Sequence, residues 1–275
     1  MTTTQKIIKY CALAFALCLI AGIFSAILQG ARFIGESLFG ESAKMDKYVY
    51  LVEEADPVKY ESKKLVIEAS ATNIKIVKGT AFTVRTNNKN INYYPDDEEL
   101  TIKEKNKRSF NIGSIDTELI IELPQIHPFE KIEIEAGAGK INIQDLKVDK
   151  LELEQGAGSV YMKNVEVTKT TNIDGGAGSI TIEETTMSNI KLNIGTGSFK
   201  YNGYLTGINN IDCGVGSTTL NLKGDKKDYQ LHLEKGVGSI KVDGEKVSND
   251  KTIGNGANTI DIDGGVGSIT INFTK

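Results

Sequence analysis

The sequence predicts an all-β protein: a parallel β-solenoid with coils of about 19–20 residues, an irregular N-terminal β cap and one preceding transmembrane helix. Three observations support this prediction. A Gly-x-Gly corner recurs seven times, apolar and polar residues alternate on both sides of each corner, and a long apolar run lies near the N-terminus. A chain built in this way presents first of all a rigid, elongated surface.

The apolar run covers residues 7–28 and contains no charged residue after Lys9. About 20 apolar residues are enough for a helix to span a bilayer. Lys6 and Lys9 lie at the N-terminal side of the run, so the positive-inside rule places the N-terminus in the cytoplasm and the β region outside the cell membrane. We expect residues 1–29 to form a cytoplasmic stub and a single transmembrane helix. A cleaved signal peptide is the alternative.

Residues 30–60 are predicted to be a juxtamembrane linker, with a strand at Tyr48–Val52. Residues 61–130 are predicted to form irregular coils that cap the solenoid, because an open stack exposes apolar surface and unpaired strand edges. Within them, Leu65–Ile76 repeats the alternation of the later coils but has other residues at the corner glycines. Three more runs have the composition of strands: Phe82–Thr86, Leu100–Lys103 and Thr117–Leu123.

The regular solenoid is predicted over residues 131–275 and is marked by its corner glycines. Glycine allows a positive φ and a close approach of neighbouring backbones, so that one strand can turn sharply into the next. The repeat is too long for a hairpin arm and too short for a propeller blade, which favours a parallel solenoid. The structural corner glycines are Gly137, Gly139, Gly156, Gly158, Gly176, Gly178, Gly195, Gly197, Gly214, Gly216, Gly236, Gly238, Gly265 and Gly267.

Two further patterns surround the corners. Apolar residues stand three positions before the first glycine and four and six positions after it, as in Ile173, Ile180 and Ile182. This alternation is typical of strands with one buried face. The middle residue of each corner is Ala, Thr or Val, and we expect it to point inward at a crowded bend.

One position carries an acidic side chain in nearly every coil, although the fold does not require it. It lies two residues before the first corner glycine and, by alternation, points outward. We call the stacked side chains the carboxylate column: Glu68, Glu135, Glu154, Asp174, Asn193, Asp212, Glu234 and Asp263. Three interpretations stay open: hydrogen bonds from the amides of the same corner, cations shared between coils, or docking of a cationic polymer or Lys-rich partner. The candidate metal ligands are Glu135, Glu154, Asp174, Asp212, Glu234 and Asp263.

Composition argues against several functional classes. The net charge is −4 and no arginine lies in the regular coils, so we predict no nucleic-acid binding. His127 and His232 are far apart in sequence, and no Ser-His-Asp arrangement, metal-type Cys/His spacing or phosphate-binding loop is present. We therefore predict no enzyme activity, no catalytic residues and no cofactor. Cys213 is the only cysteine outside the apolar run, which gives no disulfide framework.

The apolar run, the irregular lead-in and the repeated apolar-x-x-Gly-x-Gly-Ser-Ile-x-Ile unit together resemble a bacterial family known as "putative adhesin" or β-strand-repeat proteins, whose function is undefined. Ile253–Ile271 is the closest match, and the resemblance covers about residues 60–275. It implies an envelope protein and brings no catalytic residues with it. We expect a membrane-anchored module of the cell envelope that binds a polymer or protein ligand or has a structural role. A self-assembling scaffold is the alternative, and an enzyme acting on cell-wall polysaccharide is less favoured.

Overall fold

The computed structural model describes residues 48–55, 62–96, 98–105, 116–127 and 129–274. Most of these residues lie in β-strands, which confirms the all-β prediction. The strands are β1 (Val49–Ala55), β2 (Lys64–Ala71), β3 (Asn73–Lys78), β4 (Phe82–Thr86), β5 (Ile91–Pro95), β6 (Glu99–Glu104), β7 (Glu118–Leu123), β8 (Lys131–Ser188), β9 (Ile190–Thr206), β10 (Ile208–Lys223), β11 (Tyr229–Val242), β12 (Glu245–Val247), β13 (Lys251–Gly254) and β14 (Asn258–Thr274). One short 3-10 helix, Lys226–Asp228, lies between β10 and β11.

Two predicted segments fall largely outside the described residues. The apolar run 7–28 lies entirely outside them, and within them no helix is long and apolar enough to cross a membrane. Of the predicted linker 30–60, only residues 48–55 are described. They contain β1, which lies where a strand was predicted at Tyr48–Val52.

The long strands stack in parallel with their corners superposed. β8 contains three successive corners and pairs in parallel with β9, which pairs in parallel with β10. The register aligns Gly178 with Gly197 and Gly197 with Gly216, so that equivalent residues lie one above another. This register is strongly specified, because a shift by one residue would move the apolar side chains to the outer face.

At the N-terminal end, the order of the strands in space departs from their order in sequence. β2 and β3 pair in parallel with the first part of β8, and β6 and β7 pair in parallel with the other side of β2 and β3. β6 and β7, although they follow β2 and β3 in sequence, therefore form the outermost parallel layer. β4 and β5 cover its free edge by antiparallel pairing, and β1 adds to β4 in the same sense.

At the C-terminal end, too, the order of the strands in space departs from their order in sequence. β14, the last strand in sequence, lies between β10 and β11, with Gly267 aligned with Gly216 on one side and with Gly238 on the other. β11 is the outermost parallel layer, and β12 and β13 cover its free edge by antiparallel pairing. The layers at both ends therefore do not follow the sequence order that a simple solenoid would have. β12 and β13 occupy much of the outer edge of β11, and the last strand lies at an inner position instead.

The inward-facing side chains form a continuous apolar core. Ile173, Ile180 and Ile182, which flank one corner, are at most 4% exposed, as the alternation predicts. The largest fully buried side chain is that of Tyr201. Its hydroxyl lies 2.7 Å from the carbonyl oxygen of Tyr204, so the polar atom is satisfied within the core.

Candidate functional site

The corner edge is the line of superposed Gly-x-Gly corners together with the flanking carboxylate column. Gly216 has a φ of +147°, and a Cβ built on it would lie 1.6 Å from the carbonyl oxygen of Gly197. Gly197 repeats this geometry against Gly178, with a φ of +153° and a distance of 1.7 Å. No residue with a side chain fits at these positions without moving the backbone. The second corner glycine is therefore required by packing between layers.

The corner of β2 and β3 shows why a layer without a preceding corner needs no glycine. A Cβ on Gly137 would lie 2.5 Å from the carbonyl oxygen of Ser70, and a Cβ on Gly139 would lie 2.8 Å from that of Thr72. A side chain at a corner glycine would thus clash with the carbonyl oxygen of the adjacent layer on the N-terminal side. The next layer on that side is β6 and β7, which have no Gly-x-Gly corner between them. Ser70 and Thr72, which replace the two corner glycines in this layer, therefore face a layer whose sequence has no such corner.

Buried polar side chains close this end of the corner edge, and sequence reasoning missed them. A carboxylate oxygen of Glu104 accepts a hydrogen bond from the Ser70 amide at 2.7 Å, and the other accepts one from Asn88 Nδ2 at 3.0 Å. The same Asn88 amide group lies 3.0 Å from Thr72 Oγ1. Glu104 and Asn88 are at most 4% exposed, so these bonds satisfy polar atoms that water does not reach.

The expectation that all middle residues of the corners point inward is wrong for the C-terminal layers. Val266 is 46% exposed and Val237 is 68% exposed, although Ala138 is buried. Val266 has a parallel strand on each side, so its exposure is not an effect of the end of the stack. The inside of the bend is already filled, since a Cβ on Gly264 would lie 2.9 Å from Cδ1 of Ile269. The valines therefore form an apolar ridge along the corner edge.

The carboxylate column lies beside this ridge, and its members follow the order of the layers. The register pairs Glu68 with Glu135, Asp174 with Asn193, Asn193 with Asp212, Asp212 with Asp263, and Asp263 with Glu234. Six carboxylates of the column are exposed: Glu135, Glu154, Asp174, Asp212, Asp263 and Glu234. The structure thus brings the sequence-predicted acidic residues together on one edge.

Among the described residues, no cationic side chain lies within 4.0 Å of these six carboxylates, although Lys103 interacts electrostatically with Glu135 at a longer distance. At the N-terminal end, by contrast, Glu68 pairs with Lys103 at 2.5 Å. Asn193 donates a hydrogen bond through Nδ2 to the carboxylate of Asp174. Among the described residues no corner amide donates a hydrogen bond to a carboxylate of the column, so the first of the three interpretations is not observed.

A neighbouring strip of the same sheet is neutralised by lysines. Lys64 lies 3.2 Å from Glu99 and 3.0 Å from Glu133, and Lys131 lies 3.0 Å from Glu133 and 2.5 Å from Glu152. We call these five residues the paired strip. Burial disfavours the ionised form of Glu133, but hydrogen bonds from Lys64 and Lys131 outweigh it and hold its pKa below the usual value. The carboxylates of this strip therefore differ from those of the corner edge in having lysine partners within 4.0 Å.

The interpretation of the column as a metal site stays a hypothesis. Over the described residues, no group of three or more acidic, His or Cys side chains is arranged to hold a metal ion. Equivalent positions of adjacent parallel strands are about 4.8 Å apart, whereas Ca²⁺ takes six to eight oxygen ligands. Two carboxylates from neighbouring layers supply only part of such a shell.

The other residues singled out from the sequence do not form a reactive group with the column. His232 lies at an outward strand position, with Nδ1 3.8 Å from a carboxylate oxygen of Asp261. His127 packs against Phe129, with 5.7 Å between ring centroids, and burial lowers its pKa. Burial raises the pKa of the Cys213 thiol, which accepts a 2.9 Å hydrogen bond from the Thr218 hydroxyl. Cys213 is thus held in its protonated form as a packing residue.

Comparison with known proteins identifies the family of the chain. No curated protein matches the sequence. A "putative cell adhesion protein" from Clostridium sporogenes ATCC 15579 is 17% identical, with a TM-score of 0.36 over 83% of this chain and 99% of that chain. A "putative adhesin" from Bacteroides fragilis NCTC 9343 is 14% identical, with a TM-score of 0.41 over 82% of this chain and 97% of that chain.

The family model described as Toastrack DUF4097 matches residues 62–243, more than half of the sequence. This match confirms the family resemblance drawn from the repeated unit. The chain therefore belongs to the Toastrack DUF4097 family.

Proposed function

We propose that this protein is a membrane-anchored, extracytoplasmic β-solenoid of the cell envelope that binds a positively charged partner along its corner edge. The observation that carries the proposal is the row of six exposed, unpaired carboxylates beside the valine ridge. The apolar run 7–28, with Lys6 and Lys9 at its N-terminal side, supports the anchor and its orientation. The partner supplies cationic groups to the column and an apolar face to the ridge.

Electrostatics favours a cationic partner over an unoccupied edge. Unit charges about 5 Å apart repel by about 1 kcal/mol even in water. Each carboxylate of the column has at least one such neighbour, although the neutral Asn193 separates Asp174 from Asp212. The paired strip relieves the same repulsion with Lys64 and Lys131, whereas among the described residues no lysine lies within 4.0 Å of the six exposed carboxylates of the corner edge. A ligand with several ammonium groups can form ion pairs with these carboxylates, which have no ion-pair partner within the described part of the chain.

The two alternative functions receive less support. End-to-end assembly through the parallel layers is disfavoured, because antiparallel strands cover much of the outermost parallel layer at each end. An enzyme of the β-helix type needs clustered acids with a base in a cleft. His127 and His232 lie in different surroundings, one packed on Phe129 and the other on an exposed strand position. We therefore propose a binding role without catalysis.

Binding of a fluorescent lysine decamer to the purified full-length chain in detergent micelles tests this proposal. The first variant combines Asp212→Asn, Asp263→Asn and Glu234→Gln, which removes three adjacent charges of the column. We expect it to lose most of the affinity and much of its dependence on salt, because both arise from these carboxylates.

The matched control combines Glu99→Gln, Glu133→Gln and Glu152→Gln in the paired strip. It removes the same number of charges from carboxylates that already have lysine partners. We expect it to bind the decamer nearly as well as the unmodified chain. Equal losses in the two variants would show that only the total charge matters, and the corner edge would not be the site.

A further inference from the structure

β14 lies between β10 and β11 and pairs in parallel with both. Its neighbours offer it the same motif on both sides: Ser268 is aligned with Ser217 of β10 and with Ser239 of β11. Its inward side chains Ile260 and Ile271 are fully buried. β10 and β11 therefore form a slot that is specific for an extended segment with this repeat.

The connection that leads into the slot is short and tightly packed. β13 ends at Gly254 and β14 begins at Asn258, so residues 255–257 are the whole hinge. Gly254 has a φ of +80°, and a Cβ on Gly256 would lie 2.1 Å from the carbonyl carbon of Asp228. The hinge passes directly against the connection from β10 to β11, since the Gly256 amide donates to the Tyr229 carbonyl at 3.1 Å.

Short hinges in constrained conformations favour exchange of the following element between two copies of a chain. The three features needed for exchange are present here. The connection before β14 has only three residues, it packs closely against the backbone at Asp228 and Tyr229, and the slot recognises a sequence that every copy carries.

We propose that β14 is exchanged between two copies of this chain, so that the C-terminal strand of each copy fills the slot between β10 and β11 of the other. Exchange takes place while the two chains fold, because an empty slot would expose the apolar faces of β10 and β11 to water. The resulting dimer keeps every strand pairing of the single chain and extends the hinge. It does not depend on the partner proposed for the corner edge.

Disulfide trapping between differently tagged copies tests the exchange. Two full-length chains, each with Cys11, Cys18 and Cys213 replaced by Ala, are produced together. One carries Asp212→Cys and the other Asp263→Cys. These exposed positions are register partners in β10 and β14, within the separation that a disulfide bridges. We expect oxidation to link the two tags covalently.

The control replaces Asp212→Cys with Asp174→Cys, an exposed residue of the same column that lies three layers from β14. That separation is roughly 14 Å, too far for a disulfide in the exchanged dimer. A single chain carrying both Asp212→Cys and Asp263→Cys must form a disulfide in either arrangement, which verifies folding and register. The proposal is overturned if the Asp212→Cys pair links the tags no more than the Asp174→Cys pair, or if the single chain forms no disulfide.

Discussion

At Gly216 one layer of the stack passes so close to the next that a methyl group does not fit. We predict that Gly216→Ala destabilises the folded chain by at least about 4 kcal/mol, beyond what most point mutations cost. The reason is that its Cβ would lie 1.6 Å from the carbonyl oxygen of Gly197, in a backbone conformation that already disfavours side chains. Urea unfolding followed by circular dichroism measures the loss.

Gly244 provides the control for backbone strain alone. Its φ is +83°, but nothing lies within 4 Å of a Cβ built on it. We expect Gly244→Ala to cost about 1 kcal/mol, the price of a left-handed conformation for a residue with a side chain. If both variants lose equally little stability, the superposed corners are not in contact as described.

The structural role of a single residue was predictable from the sequence only where that residue recurs at a fixed position of the repeat. The corner glycines and the members of the carboxylate column stand at fixed offsets, so alignment of the copies finds them. Glu104 and Asn88 come from two irregular strands and meet only through the fold. Nothing in their sequence neighbourhood marks them as partners. The inward orientation predicted for Val266 failed because Ile269 already fills the inside of the bend.

On the scale of single strands, the paired strip predicts a pH dependence of stability. The folded-state pKa of Glu133 is below its ordinary value of 4.5 because Lys64 and Lys131 hold the ionised form. A lowered folded-state pKa gives stability that is fully present above about pH 4.5 and lost as the pH falls through the folded-state value. The raised pKa values of both lysines affect only the alkaline range.

We therefore predict that Glu133→Gln lowers the free energy of unfolding at pH 7 by about 1 kcal/mol or less, in the range of surface ion pairs. The difference from the unmodified chain should shrink as the pH falls from 5 toward 3, as measured by urea unfolding at each pH. Glu154→Gln, in the unpaired column, is the control and should show no such acid-dependent loss. A Glu133→Gln difference that stays constant down to pH 3 would show that the ion pairs do not stabilise the fold.

The positions of several strands were predictable, but their neighbours in space were not. Period-2 alternation predicts strands at Phe82–Thr86 and Leu100–Lys103, and the structure has β4 and β6 there. The order of layers escapes the sequence because every copy of the motif fits every other copy equally well. The antiparallel strands β12 and β13 decide the order at the C-terminal end by covering the outer edge of β11.

On the scale of the whole molecule, the column of like charges exists only because equivalent positions of successive layers are superposed. The column runs through β10, β14 and β11 in that order, so Asp263 lies between Asp212 and Glu234. The same order creates the slot for β14. It also aligns Val215, Val266 and Val237 along the corner edge. A stack in simple sequence order would keep the acidic edge but would remove the slot.

Disulfide mapping of the full-length chain, with the native cysteines replaced by Ala, tests this order of layers most directly. Cysteines at 212 and 263, or at 263 and 234, replace side chains that are register partners in adjacent strands. We predict efficient disulfides in both pairs and none between 212 and 234, which β14 separates by roughly 10 Å. A disulfide between 212 and 234, with none between 212 and 263, would contradict the account.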